Sequence, residues 1–260
     1  MKILVTNDDG INADGIWAVA KELQAVGSVT VVAPDRDQSG TGTSVTLRNP
    51  LRVSEIKSPV KGVNAYSVEG TPADSVILAL KFAIKGKVDL VVSGINEGPN
   101  LGNDSFISGT IGAALQGYFY GIPSIAISVA AFEDIHFDGA ARLAKLLAIG
   151  FNNGSLPQSL LLNINLPNLL LEEIKSIEIT KLGKRSYTDK IDQGYDGKRE
   201  YYWIVRGIPE WSVSSGTDIW ALEQNRISVT PFLNGSDGSI ECFFRNLEPE
   251  LLCKSSKAVS

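Results

Sequence analysis

The sequence predicts an α/β fold: a Rossmann-like, mostly parallel sheet with helices on both faces, followed by a C-terminal extension. Three observations support this expectation. Short apolar runs alternate with helix-period segments through the first two thirds of the chain, which is the rhythm of βαβ units. Residues 88–93 are apolar almost without a break, as in a strand buried on both faces. After about Leu170 the alternation stops, and aromatic and charged residues mix without a clear βαβ unit.

The elements follow in order. Residues 3–6 form an apolar strand, and Ile16, Val19, Ala20 and Leu23 then recur at helical spacing. Residues 29–33 are β-rich and end at Pro34-Asp35. Two short strands, 51–56 and 65–68, suit an antiparallel hairpin. Pro72 fits the first position of a helix with Val76, Ile77, Leu80 and Phe82 on its apolar face. Beyond the strand at 88–93 come a Gly-rich loop, a helix from about 109 to 118 and a strand at 124–128. A helix at 137–147 and a strand at 160–166 complete the alternation. Residues 1–170 are therefore expected as the core. Residues 171–260, continuous with it, would pack on the core or reach a second subunit.

At 260 residues the chain is long enough for one large α/β domain. A net charge of −5 argues against affinity for polymeric nucleic acid or an anionic membrane. No apolar stretch reaches membrane-spanning length, since 160–171 is interrupted by Asn163, Asn165, Pro167 and Asn168. The chain starts with a strand and not with a basic segment and an apolar stretch, so no signal peptide is expected. Cys242 and Cys253 are the only cysteines, which suits the cytoplasm. The glycosylation-like triplets at Asn103, Asn153 and Asn234 would then go unused. His136 is the sole histidine, which excludes any mechanism needing two.

Chemistry concentrates in the loops after the strands. The first strand runs into Asn7-Asp8-Asp9-Gly10, and open α/β sheets bind ligands beyond the carboxyl ends of their strands. Neighbouring strand residues face opposite ways, so Asp8 and Asp9 converge only if the chain has already left the strand, a turn that Gly10 permits. Two carboxylates on one patch repel unless a cation separates them, which favours a hard metal such as Mg²⁺ or Mn²⁺. The plainer alternative is an Asx-rich helix-capping loop. The second loop, Asp35 to Ser44, supplies Ser39 and Gly40 among hydroxyls and glycines that suit phosphate or a metal. It lacks the Gly-Lys-Ser/Thr of a Walker loop. The third loop offers Asn96 as a neutral oxygen ligand, then Ser108-Gly109-Thr110 at a helix start, where free N–H groups favour an anion. Ser108 would equally cap that helix.

In order along the chain, four motifs resemble the SurE family, the survival-protein-E nucleotidases and phosphatases. They are Val5-Thr6-Asn7-Asp8-Asp9-Gly10 with Gly15-Ile16; Val32-Ala33-Pro34-Asp35-Arg36 through Ser39-Gly40; Gly70-Thr71-Pro72-Ala73-Asp74; and Ser93-Gly94-Ile95-Asn96 with Gly98, Asn100 and Gly102, leading to Ser108-Gly109-Thr110. Echoes continue in Leu162-Asn163-Ile164-Asn165-Leu166-Pro167, Gly216-Thr217-Asp218 and Ile227-Ser228-Val229-Thr230-Pro231. The resemblance implies one divalent cation per subunit at Asp8, Asp9, Ser39 and Asn96. It also implies cytoplasmic hydrolysis of nucleoside monophosphates and a C-terminal part exchanged between subunits of a homodimer or homotetramer. Family members usually carry Asp-Asp and a Tyr ahead of the Ser-Gly-Thr loop; here Asn103-Asp104 and Ile107 stand there. After Ser39-Gly40, Thr41-Gly42-Thr43-Ser44 replaces the usual Ala-Ser-Asn-Ser. These departures bear on substrate preference and leave the four ligand positions intact.

The expected mechanism is metal-assisted phosphoester hydrolysis, in which the ion offsets charge developing on phosphate and acidifies a water. Asp8 and Asp9 are the expected catalytic pair. Asn7, Gly40, Asn96, Ser108, Gly109 and Thr110 are expected at the phosphate. Substrates could extend to 3′-nucleotides and short polyphosphate. Aspartyl-phosphate chemistry would need Asp-x-Asp, which Asn7-Asp8-Asp9 does not supply. A non-catalytic, metal-dependent nucleotide-binding module is the remaining alternative, although Gly10 and Gly15 do not make a Gly-x-Gly-x-x-Gly fingerprint. His136, Cys242 and Cys253 read as bystanders. Tyr201-Tyr202-Trp203 reads as a strand packing face, with Arg199 or Tyr202 a conceivable partner-subunit contact to the base. Lys184-Arg185 makes a thin case for binding polyphosphate.

Overall fold

In the computed structural model, residues 1–186, 189–206, 210–233 and 238–252 are described. The elements run β1 (Lys2–Thr6), α1 (Asp14–Leu23), β2 (Ser28–Pro34), β3 (Val53–Ile56), β4 (Asn64–Val68), α2 (Pro72–Leu78), β5 (Leu90–Glu97) and α3 (Gly109–Phe119). They continue with β6 (Ser124–Val129), α4 (Phe137–Asn152), β7 (Leu161–Leu166), β8 (Ile177–Ile179), β9 (Lys184–Ser186), β10 (Asp189–Tyr195) and β11 (Glu200–Arg206). Last come β12 (Glu210–Ser212), α5 (Asp218–Glu223), β13 (Ile227–Pro231) and α6 (Gly238–Leu251). Among the described residues the central sheet has nine strands in the order β3-β4-β2-β1-β5-β6-β7-β13-β8. β4 through β7 in that order are parallel. β3 and β13 run antiparallel to their inner neighbours.

Alternation along each strand sends side chains to two cores. Ile3 and Val5 of β1 pack with α1, α4 and α6. Leu4, on the opposite face, packs with Val76 of α2 and Ala113 of α3. The apolar stripe of α1 is buried as its spacing predicts: Ile16, Val19, Ala20 and Leu23. Thr71 caps α2 in a reciprocal capping box with Asp74, and Pro72 occupies its first turn.

Several expectations need correction. α2 passes into a π-helical turn at Ala79–Ala83. The extra residue in that turn breaks the 3.6 period, so Phe82, expected on the apolar face, is 67% exposed. β5 continues to Glu97, past the point where a loop was expected, through a register irregularity against β6 between Ser93 and Asn96. Gly94 makes this possible: at φ +130°, a Cβ there would lie 2.2 Å from the Ile127 carbonyl oxygen. Beyond Leu170, β13 and β8 widen the same sheet, and α6 buries Ile240, Phe244 and Leu247 in the main core. β10 and β11 form a separate antiparallel hairpin. No helix among the described residues is long and apolar enough to cross a membrane.

Candidate active site

β1 lies between β2 and β5, where the strand order reverses direction, and in doubly wound sheets the crevice at such a switch point receives the ligand. Thr6 pairs with Ser93 at the ends of β1 and β5. The loops that follow therefore leave from neighbouring positions. Gly10, at φ +97°, turns the first loop back so closely that a Cβ would meet the Arg36 backbone at 2.9 Å. The backbone N–H of Gln38 donates to the Asp8 carbonyl at 2.7 Å, tying the second loop to the first. The result is a cleft of about 860 Å³ lined by Asp8, Ser39, Gly40, Asn96 and Ser108 together with an apolar wall.

Asp8 is buried, 3% exposed. Its Oδ1 accepts a 2.5 Å hydrogen bond from the Thr110 hydroxyl. Gly109 packs against the same carboxylate, where a Cβ would lie 2.8 Å from Asp8 Cβ. Burial pushes the Asp8 carboxyl above its ordinary range, and the Thr110 hydroxyl and N–H partly offset this. Asp9 accepts one long backbone hydrogen bond, 3.4 Å from Glu97 N–H. Burial first, and the neighbouring Asp8 charge second, push its carboxyl up to about 8. Neither carboxylate has an ion-pair partner among the described residues.

The remaining expected positions divide. Asn96 donates its amide to the Gly98 and Glu97 carbonyls, leaving its side-chain oxygen for the cleft. Ser39 is exposed and its hydroxyl donates to Asp37 at 2.6 Å. Gly40 sits beside it at φ +75° with open space around it. Ser108 caps α3 by accepting from Ile111 N–H, so its capping and cleft-lining roles coincide. Asn7, expected at the phosphate, is instead fully buried beneath the loop, donating to the Gly10 carbonyl at 2.9 Å. It does not line the cleft; its amide closes the turn that presents Asp8 and Asp9.

A cation fits this donor set. Carboxylate, hydroxyl and amide oxygens are hard ligands suited to Mg²⁺ or Mn²⁺. Among the described residues no three carboxylate, His or Cys side chains converge, so neutral oxygens must complete any shell begun by Asp8 and Asp9. A buried carboxylate beside a half-buried one, neither compensated among the described residues, is otherwise costly.

Sequence reasoning missed the support behind Asp8. Asn100 donates to the Thr110 and Ser128 hydroxyls. Its backbone carbonyl accepts from Asn163 and Asn165, and its N–H donates to Asn165 Oδ1 at 2.8 Å. Asparagines inside the otherwise apolar β7 were the available signal. Asp218, buried and with its carboxyl raised by that burial, accepts from the N–H groups of Gly102 and Gly183, each at 2.7 Å. It thereby pins the third loop to the C-terminal region. His136 is exposed at the start of α4 and Cys242 is exposed and free. Lys184, Arg199 and Tyr202 do not line the cleft. Tyr187, Asn234, Cys253 and the side chain of Arg185 lie outside the described residues.

The chain is similar to known proteins over most of its length. The family model described as "Survival protein SurE" matches residues 3–189. A curated protein of Dehalococcoides mccartyi named "5'-nucleotidase SurE" is 48% identical over 232 residues, 88% of each chain. One of the same name from Legionella pneumophila is 44% identical, covering 89% of this chain and 90% of its own. The crystal structure of Sure protein from Aquifex aeolicus superposes with a TM-score of 0.74 at 39% identity, over 95% of this chain and 99% of that one.

Proposed function

This chain belongs to the SurE family, and from that premise we propose that it is a 5′-nucleotidase holding one divalent cation per subunit, Mg²⁺ or Mn²⁺, at Asp8, Asp9, Ser39 and Asn96. It hydrolyses nucleoside monophosphates to nucleoside and phosphate. The observation that carries the reading is the buried Asp8 carboxylate beside the half-buried Asp9, neither with a counter-charge among the described residues, at the switch point where Ser39, Asn96 and Ser108 line the cleft. A cation bound there supplies Lewis-acid chemistry, offsetting charge on the phosphoryl group and strengthening water as a nucleophile.

The chain's own groups do the rest. Thr110 fixes the Asp8 carboxylate in one orientation. The start of α3, with Ser108, Gly109 and Thr110, presents the positive end of an eleven-residue helix to the phosphate. Gly40 leaves room for the phosphoryl oxygens. Because these groups contact only the phosphoryl end, 3′-monophosphates are also substrates. Short polyphosphate is a weaker one, since Glu97 and Glu223 add negative charge to the same cleft. Phosphate release from a panel of 5′- and 3′-monophosphates and tripolyphosphate, run with EDTA, Mg²⁺ or Mn²⁺, tests the reading. Release restored by metal after EDTA treatment is expected. Release unaffected by EDTA would remove the metal from the mechanism, and no release under any condition would leave a nucleotide-binding module.

A homodimer or homotetramer with an exchanged C-terminal part is supported by the hairpin of β10 and β11. There Ile191, Tyr195, Tyr202, Trp203 and Ile204 are 58–73% exposed within the chain, an apolar patch of the kind that marks an interface. Trp203→Glu is expected to reduce the sedimentation mass towards that of one chain. An unchanged mass would place the interface elsewhere. The free, exposed Cys242 supports a reducing, cytoplasmic location.

A further inference from the structure

We propose that Phe132 is the stacking platform for the nucleobase, and that this one aromatic face makes the chain select nucleotides over other phosphate monoesters. The inference rests on the nucleotidase reading and adds the residue that recognises the base. Phe132 lies in the loop after β6, beside the end of β5 that carries Asn96. The two strand ends are locked together by the Gly98 N–H, which donates to the Val129 carbonyl at 2.9 Å. The ring sits against Gly98: a Cβ on that residue would lie 2.4 Å from Phe132 Cε1 and 2.7 Å from Cζ. Only a glycine lets the ring rest on backbone at this point.

With that support on one side, Phe132 is still 75% exposed, and the open part forms cleft wall. The loop around it is fastened at several points. Ala130 N–H donates to the Leu166 carbonyl at 2.9 Å, the Asn168 side chain donates to the Asp134 carbonyl at 3.1 Å, and His136 N–H donates back to Asn168 at 2.8 Å. Phe132 is thus an exposed aromatic on a pinned loop, not a stray surface side chain. Ile107, Leu222 and Pro99 add apolar surface to the same cleft. Among the described residues, Phe132 is the only aromatic one of the lining.

Stacking on an aromatic ring is tolerant of base identity, because every base presents a π face. Purines, with the larger face, are therefore favoured over pyrimidines without strict exclusion. The test compares kcat/KM for AMP with that for ribose 5-phosphate, which keeps the phosphoryl group and sugar but has no base. Phe132→Ala is expected to lower the ratio by about tenfold through KM, within the usual worth of one base stack, and to raise the inhibition constant of adenosine by a similar factor. Phe132→Trp is expected to restore both. A ratio and an adenosine inhibition constant that are the same in Phe132→Ala as in the unmodified protein would overturn the assignment while leaving the nucleotidase reading in place. Failure of the unmodified, metal-loaded protein to hydrolyse any nucleoside monophosphate would overturn both.

Discussion

Replacing Asp8 by asparagine is expected to lower kcat/KM for nucleoside monophosphates by about a thousandfold or more at saturating Mg²⁺. A metal ion at a phosphoryl group is worth several kcal/mol of transition-state stabilisation, and about 4 kcal/mol corresponds to three decades in rate. The asparagine oxygen can still accept the Thr110 hydrogen bond, and one buried charge disappears. The variant should therefore fold at least as well as the parent. Loss of activity together with an unchanged or higher melting temperature separates a functional carboxylate from a structural one. Thr110→Val makes the complementary test. It keeps the shape and both carboxylates but removes the hydroxyl that orients Asp8 and receives Asn100. Partners of this kind behind a ligand commonly account for 10–100-fold in affinity or activity, so a loss of about that size, with metal binding weakened in calorimetry, is expected. Asp8→Asn activity within about tenfold of the parent would mean that the cation is held elsewhere.

What could be read from the sequence divides along physical lines. β1, β2, β6 and α1 were legible because burial leaves a periodic trace that local spacing can report. The position of Asp8 and Asp9 just past β1 was legible because two acids directly follow an apolar run. β13 was not, since its buried residues include Ser228 and Thr230, whose hydroxyls meet Thr180 across the sheet at 2.8 Å. Hydroxyls that satisfy one another in a core look like surface residues in a sequence. Asn100 was not legible as a hub, because its partners Asn163 and Asn165 lie more than sixty positions away. The irregularity in β5 also escaped, since only the close approach of Gly94 to the Ile127 carbonyl explains why that strand continues to Asn96. The placement of Phe132 escaped for a related reason: its ring rests on Gly98, which follows the neighbouring strand β5 and lies more than thirty positions earlier in the chain.

The same carboxylates dictate how stability depends on pH. In EDTA the protein is expected to lose stability as pH rises from about 4 to about 8 and to level off above that. The Asp9 carboxyl is pushed up to about 8 in the folded state, against about 3.9 in an unfolded chain. Between those values the folded state binds more protons than the unfolded state, so stability falls with rising pH. Asp8 and Asp218 are shifted in the same direction and add to the slope. Four decades of shift on Asp9 set a ceiling of about 5 kcal/mol on its contribution. Asp9→Asn should therefore be close to neutral at pH 5, where the native side chain is already protonated, and stabilising at pH 8. Adding Mg²⁺ acts in the opposite sense, because it binds the deprotonated carboxylates, and its stabilisation grows with pH. Melting temperatures of both proteins from pH 5 to 8.5, with EDTA and with Mg²⁺, test every part of this. A parent protein whose melting temperature in EDTA is flat or rises across that range would show that Asp9 is not held protonated. A gain at pH 8 in Asp9→Asn, coupled to loss of the Mg²⁺ response, would mean that the strain of two unpaired acids is retained because it favours metal binding.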